Sequence, residues 1–240
     1  MRKQKNIAMI LAGGVGARMQ SAVPKQFHMV KGKPVIVYAI EAFQKSVAID
    51  EIVVVLSKGW SDILEKYIRE YSLTKVARLV PGGDTGFQSI RSGVNYLAET
   101  YEDGDIILIH DAVRPLLSEE VINNNIAGVE KNGNAITIVP TTEALLYSED
   151  GEVSEKIIDR SQILRTQTPQ SLRLGELVRL HEEAQAAGIT DTVATCTLLV
   201  ELGRKVYAVM GDNSNFKLTM PEDVALFEAY LDAKKKKEWG

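Results

Sequence analysis

The sequence is short of the residues that most directly announce a chemistry. It has one cysteine, Cys196, in 240 residues, which excludes a disulfide framework and a thiolate metal cluster and fits a reducing cytoplasm. Its three histidines, His28, His110 and His181, do not have the spacing of metal ligands. No serine sits in a Gly-x-Ser-x-Gly elbow, so covalent catalysis lacks its nucleophile. A P-loop is missing as well, because no Gly-Lys-Ser/Thr follows a glycine at the required distance. The dinucleotide fingerprint fails too: Met19 stands at its third glycine, and the second apolar run ends at Leu56-Ser57 without an acidic residue for a ribose. No apolar run could span a bilayer. The run after the basic start Arg2-Lys3-Gln4-Lys5 stops at Gly13 and has no small-residue cleavage site. Positive charge is not in excess either. With 28 Lys and Arg against 32 Asp and Glu, the formal net charge is −4, giving no general attraction to nucleic acid or membrane. The lysines at 234–237 read as a frayed helix end whose dipole they complement.

What is present is an ordinary globular chain, 45% hydrophobic and 25% charged, long enough to bury a sizeable core. Apolar runs at Ile7–Leu11, Glu51–Leu56 and Asp105–His110 read as buried strands of a parallel sheet, and Val76–Val80 could be a short strand. Helical patterns at Pro34–Phe43, Ser61–Tyr71 and Phe87–Tyr101 alternate with them. That order predicts an α/β fold, Rossmann-like and doubly wound, on a mostly parallel sheet. Ligands of such sheets sit beyond the carboxyl ends of the strands, so the loops after Leu11, Val80 and His110 should converge. The alternation then breaks. A strand at Ala135–Pro140 precedes an antiparallel hairpin, Ala144–Tyr147 with Val153–Ile158, around Glu149-Asp150-Gly151. A hairpin alone is marginal in water, so it reads as a dimerisation arm, or else as a hairpin folded on its own domain. Helices at Leu174–Ala187 and Asp191–Leu202, a strand at Lys205–Met210 and a helix from Pro221 complete the expectation. A single domain, 1–240, carries an arm at about 136–158.

The candidate chemistry lies in those loops. In Leu11-Ala12-Gly13-Gly14-Val15-Gly16-Ala17-Arg18-Met19, glycines allow backbone N–H groups to approach phosphate oxygens. Arg18 and Lys25, of Pro24-Lys25-Gln26, are spaced to fold over the same anion; a tight strand-to-helix turn is the other reading. In Ile109-His110-Asp111-Ala112-Val113-Arg114-Pro115 an apolar strand delivers an aspartate and an arginine to its carboxyl end. Asp111 could hold Mg²⁺ or hydroxyls and Arg114 a phosphate, or they could be a loop cap and a surface ion pair. His110 reads as a half-buried strand end rather than a base. Gly82-Gly83-Asp84 with Ser89 could frame a nucleobase edge, or be a good turn and N-cap. Thr190 is an N-cap or a ligand.

Taken together, LAGGVGARM, PKQ, GGD with Ser89, IHDAVRP, QTPQ, TD and NFKLTMPED resemble the cytidylyltransferase family of 2-C-methyl-D-erythritol 4-phosphate and ribitol-5-phosphate cytidylyltransferases. The resemblance runs from about Ile7 to Tyr230. It implies a homodimer joined through the arm, with CTP and a small polyol phosphate as substrates and Mg²⁺ as cofactor. It further implies that the backbone from Ala12 to Gly16 wraps the triphosphate and that Gly83, Asp84 and Ser89 read the cytosine. Arg18, Lys25 and Lys217 would neutralise the α-phosphate. Asp111, Arg114, Thr168 and Thr190 would line the acceptor pocket, with Arg160 reaching over from the other subunit. The chain departs from the family at Glu143-Ala144-Leu145-Leu146, where an Asp-Thr pair is common, and at Gly86, where an arginine is usual. Val113 is closer to the ribitol-phosphate branch, whereas Met220-Pro221-Glu222-Asp223 is closer to the methylerythritol branch. The acceptor stays open on these residues. So do a transferase using another base, such as UTP, and a nucleotide-binding module without catalysis.

Overall fold

Alternating faces of the apolar strands dictate the architecture of the computed structural model, which describes residues 2–13 and 23–237. Strands β1 (Asn6–Ala12) and β4 (Glu51–Leu56) are buried on both faces, which explains why they read as continuous apolar runs. Between them a small antiparallel pair, β2 (Met29–Val30) and β3 (Lys33–Pro34), leads into α1 (Val35–Lys45). Helix α2 (Ser61–Glu70) leads to β5 (Val76–Pro81), and α3 (Gly86–Thr100) to β6 (Ile106–Asp111). Except for β2 and β3, which the pattern does not show, these elements fall where it predicts them.

Two further elements do not appear in the pattern. Helix α4 (Glu119–Asn132), capped by Ser118 Oγ on Val121 N, precedes β7 (Asn134–Pro140). Strand β10 (Leu164–Arg173) follows the hairpin of β8 (Leu145–Tyr147) and β9 (Lys156–Ile158). The chain closes with α5 (Leu174–Ala186), α6 (Thr195–Glu201), β11 (Ala208–Met210) and α7 (Pro221–Lys237). Helix α6 starts four residues later than the pattern suggests, and β11 is shorter than the expected strand.

Among the described residues the main sheet has seven strands in the order β11-β7-β10-β6-β1-β4-β5. All neighbours are parallel except β10, which runs antiparallel to both β6 and β7. One face packs Ile10, Val54 and Leu108 against Ile40, Phe43, Leu64 and Ile122 of α1, α2 and α4. The other packs Met9, Val55 and Ile107 against Phe87, Val94, Leu177 and Leu198 of α3, α5 and α6. The winding reverses between β1 and β6, whose ends pair Leu11 with Asp111. That reversal opens the crevice in which such sheets bind ligands. The hairpin forms a two-stranded sheet of its own, with Leu146, Val153 and Ile157 exposed.

Gly93 marks how closely α3 lies on the sheet. A Cβ there would come within 2.4 Å of Met9 Sδ and 2.8 Å of Val55 Cγ2. Gly93→Leu should therefore destabilise by about 1–3 kcal/mol through overpacking, despite leucine's better helix propensity. Gly86 opens the same helix and its Cβ would meet nothing within 4 Å, so Gly86→Ala should leave the thermal midpoint unchanged or slightly raised. Thermal unfolding of both variants checks the contrast.

Candidate active site

Three strands deliver three loops to one edge of the sheet. The chain leaves β1 through Ala12 and Gly13, β5 through Gly82-Gly83-Asp84, and β6 at Asp111. With Lys25, Ser57, Lys58, Ser89 and Lys217, these residues line a cavity of about 610 Å³. The expected convergence of loops is therefore found. Gly14, Val15, Gly16 and Arg18, the rest of the expected phosphate loop, lie outside the described residues.

Ser89 explains the glycines. It is buried, and a Cβ on Gly13 would come within 2.7 Å of its Oγ, and one on Gly82 within 2.9 Å. Gly83 N donates to that hydroxyl at 3.2 Å. Two loops can thus meet across one serine only if neither carries a side chain there. Gln88 Oε1 accepts from Asp84 N at 2.9 Å, and Thr85 Oγ1 accepts from Gln88 N at 3.2 Å, which holds the Gly83-Asp84-Thr85 turn on the start of α3. On the facing wall the buried Gln26 donates its amide to Ala12 O at 2.8 Å, tying the Lys25 turn to the end of β1.

A second cavity, of about 180 Å³, is lined by Arg114, Thr168, Gln170 and Thr195 among others, and shares Leu11, Ile90, Asp111, Val193 and Lys217 with the first. Asp111 stands at the junction. Its Oδ2 receives Lys217 Nζ at 3.1 Å and Arg114 Nε at 3.2 Å. Burial alone would raise the carboxyl's pKa; Lys217 and Arg114 outweigh burial and hold it below the ordinary value. The cluster is one anion between two cations, with Asp111 Oδ1 engaged in neither pair.

The cations are themselves held. Arg114 Nη1 donates to Asn215 O at 2.8 Å, and Asn215 Nδ2 donates to Thr168 O at 2.8 Å. Leu218 N donates to Val113 O at 2.9 Å, so Lys217 lies in a segment pinned on both sides. The other wall comes from β10, whose register with β7 shifts between Thr166 and Gln170. Pro169 has no N–H to offer the ladder, and the irregular stretch brings Thr168 Oγ1 to accept from Asp111 N at 3.1 Å. His110 lies 3.0 Å from that hydroxyl by Nδ1 and 3.1 Å from Arg114 O by Nε2. It is fully buried rather than half-buried, and burial pushes its pKa down to about 4.

Most of the expected residues that are described meet here: Ala12, Gly13, Lys25, Gly83, Asp84 and Ser89 around the larger cavity, Arg114 and Thr168 around the smaller, Asp111 and Lys217 at both. Thr190 does not. It is exposed and lines neither cavity; Thr192 to Thr195 line them instead, because the connection runs on to a helix that begins only at Thr195. Arg160 is exposed at the foot of the hairpin, where its Nη1 donates to Thr142 O at 2.5 Å. Lys58 and Val193 line the larger cavity without any motif to single them out. For Lys58 the one signal is its place just past the carboxyl end of β4.

Among the described residues no three His, Cys, Asp or Glu side chains gather as a metal site. A magnesium ion carried on phosphates needs less, since it keeps waters and takes one or two carboxylates. The ionised, mostly buried Asp111, with Oδ1 outside both ion pairs, fits that requirement. Among the described residues no helix is long and apolar enough to cross a membrane.

Comparison with known proteins agrees with this geometry. Residues 6–233 match the family model described as 2-C-methyl-D-erythritol 4-phosphate cytidylyltransferase. A ribitol-5-phosphate cytidylyltransferase of Lacticaseibacillus paracasei is 40% identical, over 95% of this chain and 98% of its own length. A 2-C-methyl-D-erythritol 4-phosphate cytidylyltransferase of Clostridium acetobutylicum is 36% identical, over 94% and 97%. The crystal structure of 4-diphosphocytidyl-2C-methyl-D-erythritol synthase from Anaerococcus prevotii superposes with a TM-score of 0.81 at 27% identity, covering 95% of this chain and 99% of that one. By sequence over nearly its whole length, and by fold, the chain belongs to the 2-C-methyl-D-erythritol 4-phosphate cytidylyltransferase family.

Proposed function

We propose that this chain is a cytoplasmic transferase that moves CMP from CTP onto the phosphate of a small polyol phosphate and releases pyrophosphate. The observation that carries the reading is the junction of the two cavities at Asp111 and Lys217. A nucleoside triphosphate in the larger cavity and a sugar-alcohol phosphate in the smaller would meet there, phosphate against phosphate.

The chemistry asked of such a junction is alignment and charge neutralisation. An acceptor phosphate oxygen, already ionised at neutral pH, attacks the α-phosphorus in line. The new P–O bond forms as the bond to the β-phosphate oxygen breaks, and that electron pair leaves with pyrophosphate. No general base is required. Lys217 and Lys25, with Arg18, offset the charge that builds on the α-phosphate, and Arg114 holds the acceptor phosphate. Gly83, Asp84 and Ser89 face the nucleobase. Magnesium would be held by Asp111 together with the triphosphate oxygens, where it supplies charge neutralisation.

Ribitol 5-phosphate is the acceptor favoured by Val113 and by the higher identity to the ribitol-phosphate relative, 40% against 36%. 2-C-Methyl-D-erythritol 4-phosphate is the other. We read residues 1–240 as one domain that works as a homodimer. The exposed Leu146, Val153 and Ile157 make the hairpin a fitting arm, and Arg160 at its foot would reach the partner's acceptor cavity.

Lys217→Ala and Lys25→Ala should each lower turnover at saturating CTP by about 10²-fold or more; near-normal turnover in either would remove that lysine from the mechanism. Pyrophosphate release, measured with each of the four NTPs, Mg²⁺ and a panel of polyol phosphates, should be fastest with CTP and one of the two named acceptors. CTP binding without release across the panel would make the chain a binding module instead. Sedimentation should find a dimer that Ile157→Asp converts to monomer; a monomeric parent chain would refute the arm.

A further inference from the structure

We infer that His110 is a positioning residue for the acceptor side of the site, holding the Asp111–Arg114 turn through a bridge from the Thr168 hydroxyl to the Arg114 carbonyl. The inference rests on the cytidylyl-transfer reading. Its argument starts from which atoms can donate. A carbonyl oxygen only accepts, so the 3.1 Å contact with Arg114 O requires the proton on His110 Nε2. A neutral ring then leaves Nδ1 as an acceptor, and Thr168 Oγ1, 3.0 Å away, supplies the hydrogen. The same hydroxyl oxygen accepts from Asp111 N at 3.1 Å. Direction is thereby fixed at every step: Asp111 N–H to Thr168, Thr168 O–H to His110, His110 Nε2–H to Arg114 O.

The bridge begins and ends on the backbone of Asp111 and Arg114, two of the three residues whose side chains form the charged cluster. The turn's own bond, Arg114 N to Asp111 O at 3.0 Å, closes it from the other side. His110 has no exposed surface and both ring nitrogens are occupied, so it cannot reach a substrate as an acid or base. Phe43 fixes the ring further, edge to face, with centroids 5.2 Å apart. The bridge ends on Arg114, which lines only the smaller cavity and is assigned to the acceptor phosphate, so its loss acts on the acceptor more than on CTP.

Three variants of the full chain test it. His110→Phe keeps the ring against Phe43 and loses both bonds. His110→Asn keeps an acceptor on the Nδ1 side, toward Thr168. Thr168→Val removes the hydroxyl. With folding checked by thermal unfolding, His110→Phe should raise the KM for ribitol 5-phosphate about tenfold or more, the effect of losing one or two hydrogen bonds, while the KM for CTP stays within about twofold. His110→Asn should recover part of the loss. The double variant His110→Phe, Thr168→Val should be no worse than the poorer single one, since both cut the same bridge. A folded His110→Phe enzyme with normal acceptor KM would overturn the inference, and so would losses that multiply in the double variant. Should His110→Phe fail to fold, His110→Asn and Thr168→Val decide the matter by the same split between acceptor and CTP. No pyrophosphate release from the parent chain would instead overturn the transfer reading itself.

Discussion

One carboxylate oxygen, Asp111 Oδ2, holds Arg114 and Lys217 together, and the rest of the site is arranged to keep that contact. Two cations so close would repel each other in an empty, partly buried site, and an unpaired carboxylate there would lose its charge to burial. Shared, they form a preorganised positive cluster before any phosphate arrives. The partners come from separate segments: Asp111 and Arg114 from the end of β6, Lys217 from the stretch before α7. Packing makes the arrangement durable. Val113, Leu218 and Phe227 share one small core with Val30 and Val35, so α7 docks the lysine segment onto the β6 turn. The acidic start of α7 anchors it too, since Asp223 Oδ2 accepts from Thr219 N at 2.6 Å and Met220 N at 2.8 Å.

The parallel half of the fold was legible because burial on both faces writes itself as an uninterrupted apolar run. Glu51–Leu56 is the clearest case, expected and observed with the same ends. Strand β10 was illegible for the opposite reason. Its buried positions include Gln167, Gln170 and Ser171, satisfied by a polar network rather than by apolar packing: Ser171 Oγ donates to Asn125 Oδ1 at 2.9 Å, and Gln170 Oε1 accepts from Cys196 N at 2.9 Å. A strand stabilised in this way has neither alternation nor a hydrophobic run. Helix α4 hides similarly, since Asn125 is wholly buried in it yet bonds Thr137 Oγ1 at 2.8 Å. No pairing of that kind is visible along a single chain.

The site divides the same way. Gly13, Gly82, Gly83 and Ser89 stood out in sequence as loop residues just past strand ends, but their meeting across the serine did not. Asp111 and Arg114 stood out at the end of a strand, and Lys217 through the family resemblance, but nothing in the sequence showed that one oxygen joins all three. The connection from α5 to α6 misled, because Thr190 looks like a cap and a ligand at once. In the fold that connection is longer than the pattern suggests, and its cavity-facing residues are Thr192 to Thr195.

These differences in legibility have a physical consequence for specificity. The wall of the larger cavity is built mainly from backbone, glycines and one buried serine, held by contacts that tolerate no Cβ at Gly13 or Gly82. Little can change there without closing the cavity. The opposite wall draws its side chains from the irregular stretch of β10 and from the connection that carries Val193, a residue 95% exposed at the junction of both cavities. Substitutions on such segments displace water rather than core atoms and cost little stability. With CTP in the larger cavity and the polyol phosphate in the smaller, as proposed above, acceptor preference can drift among chains of this fold while CTP recognition stays fixed.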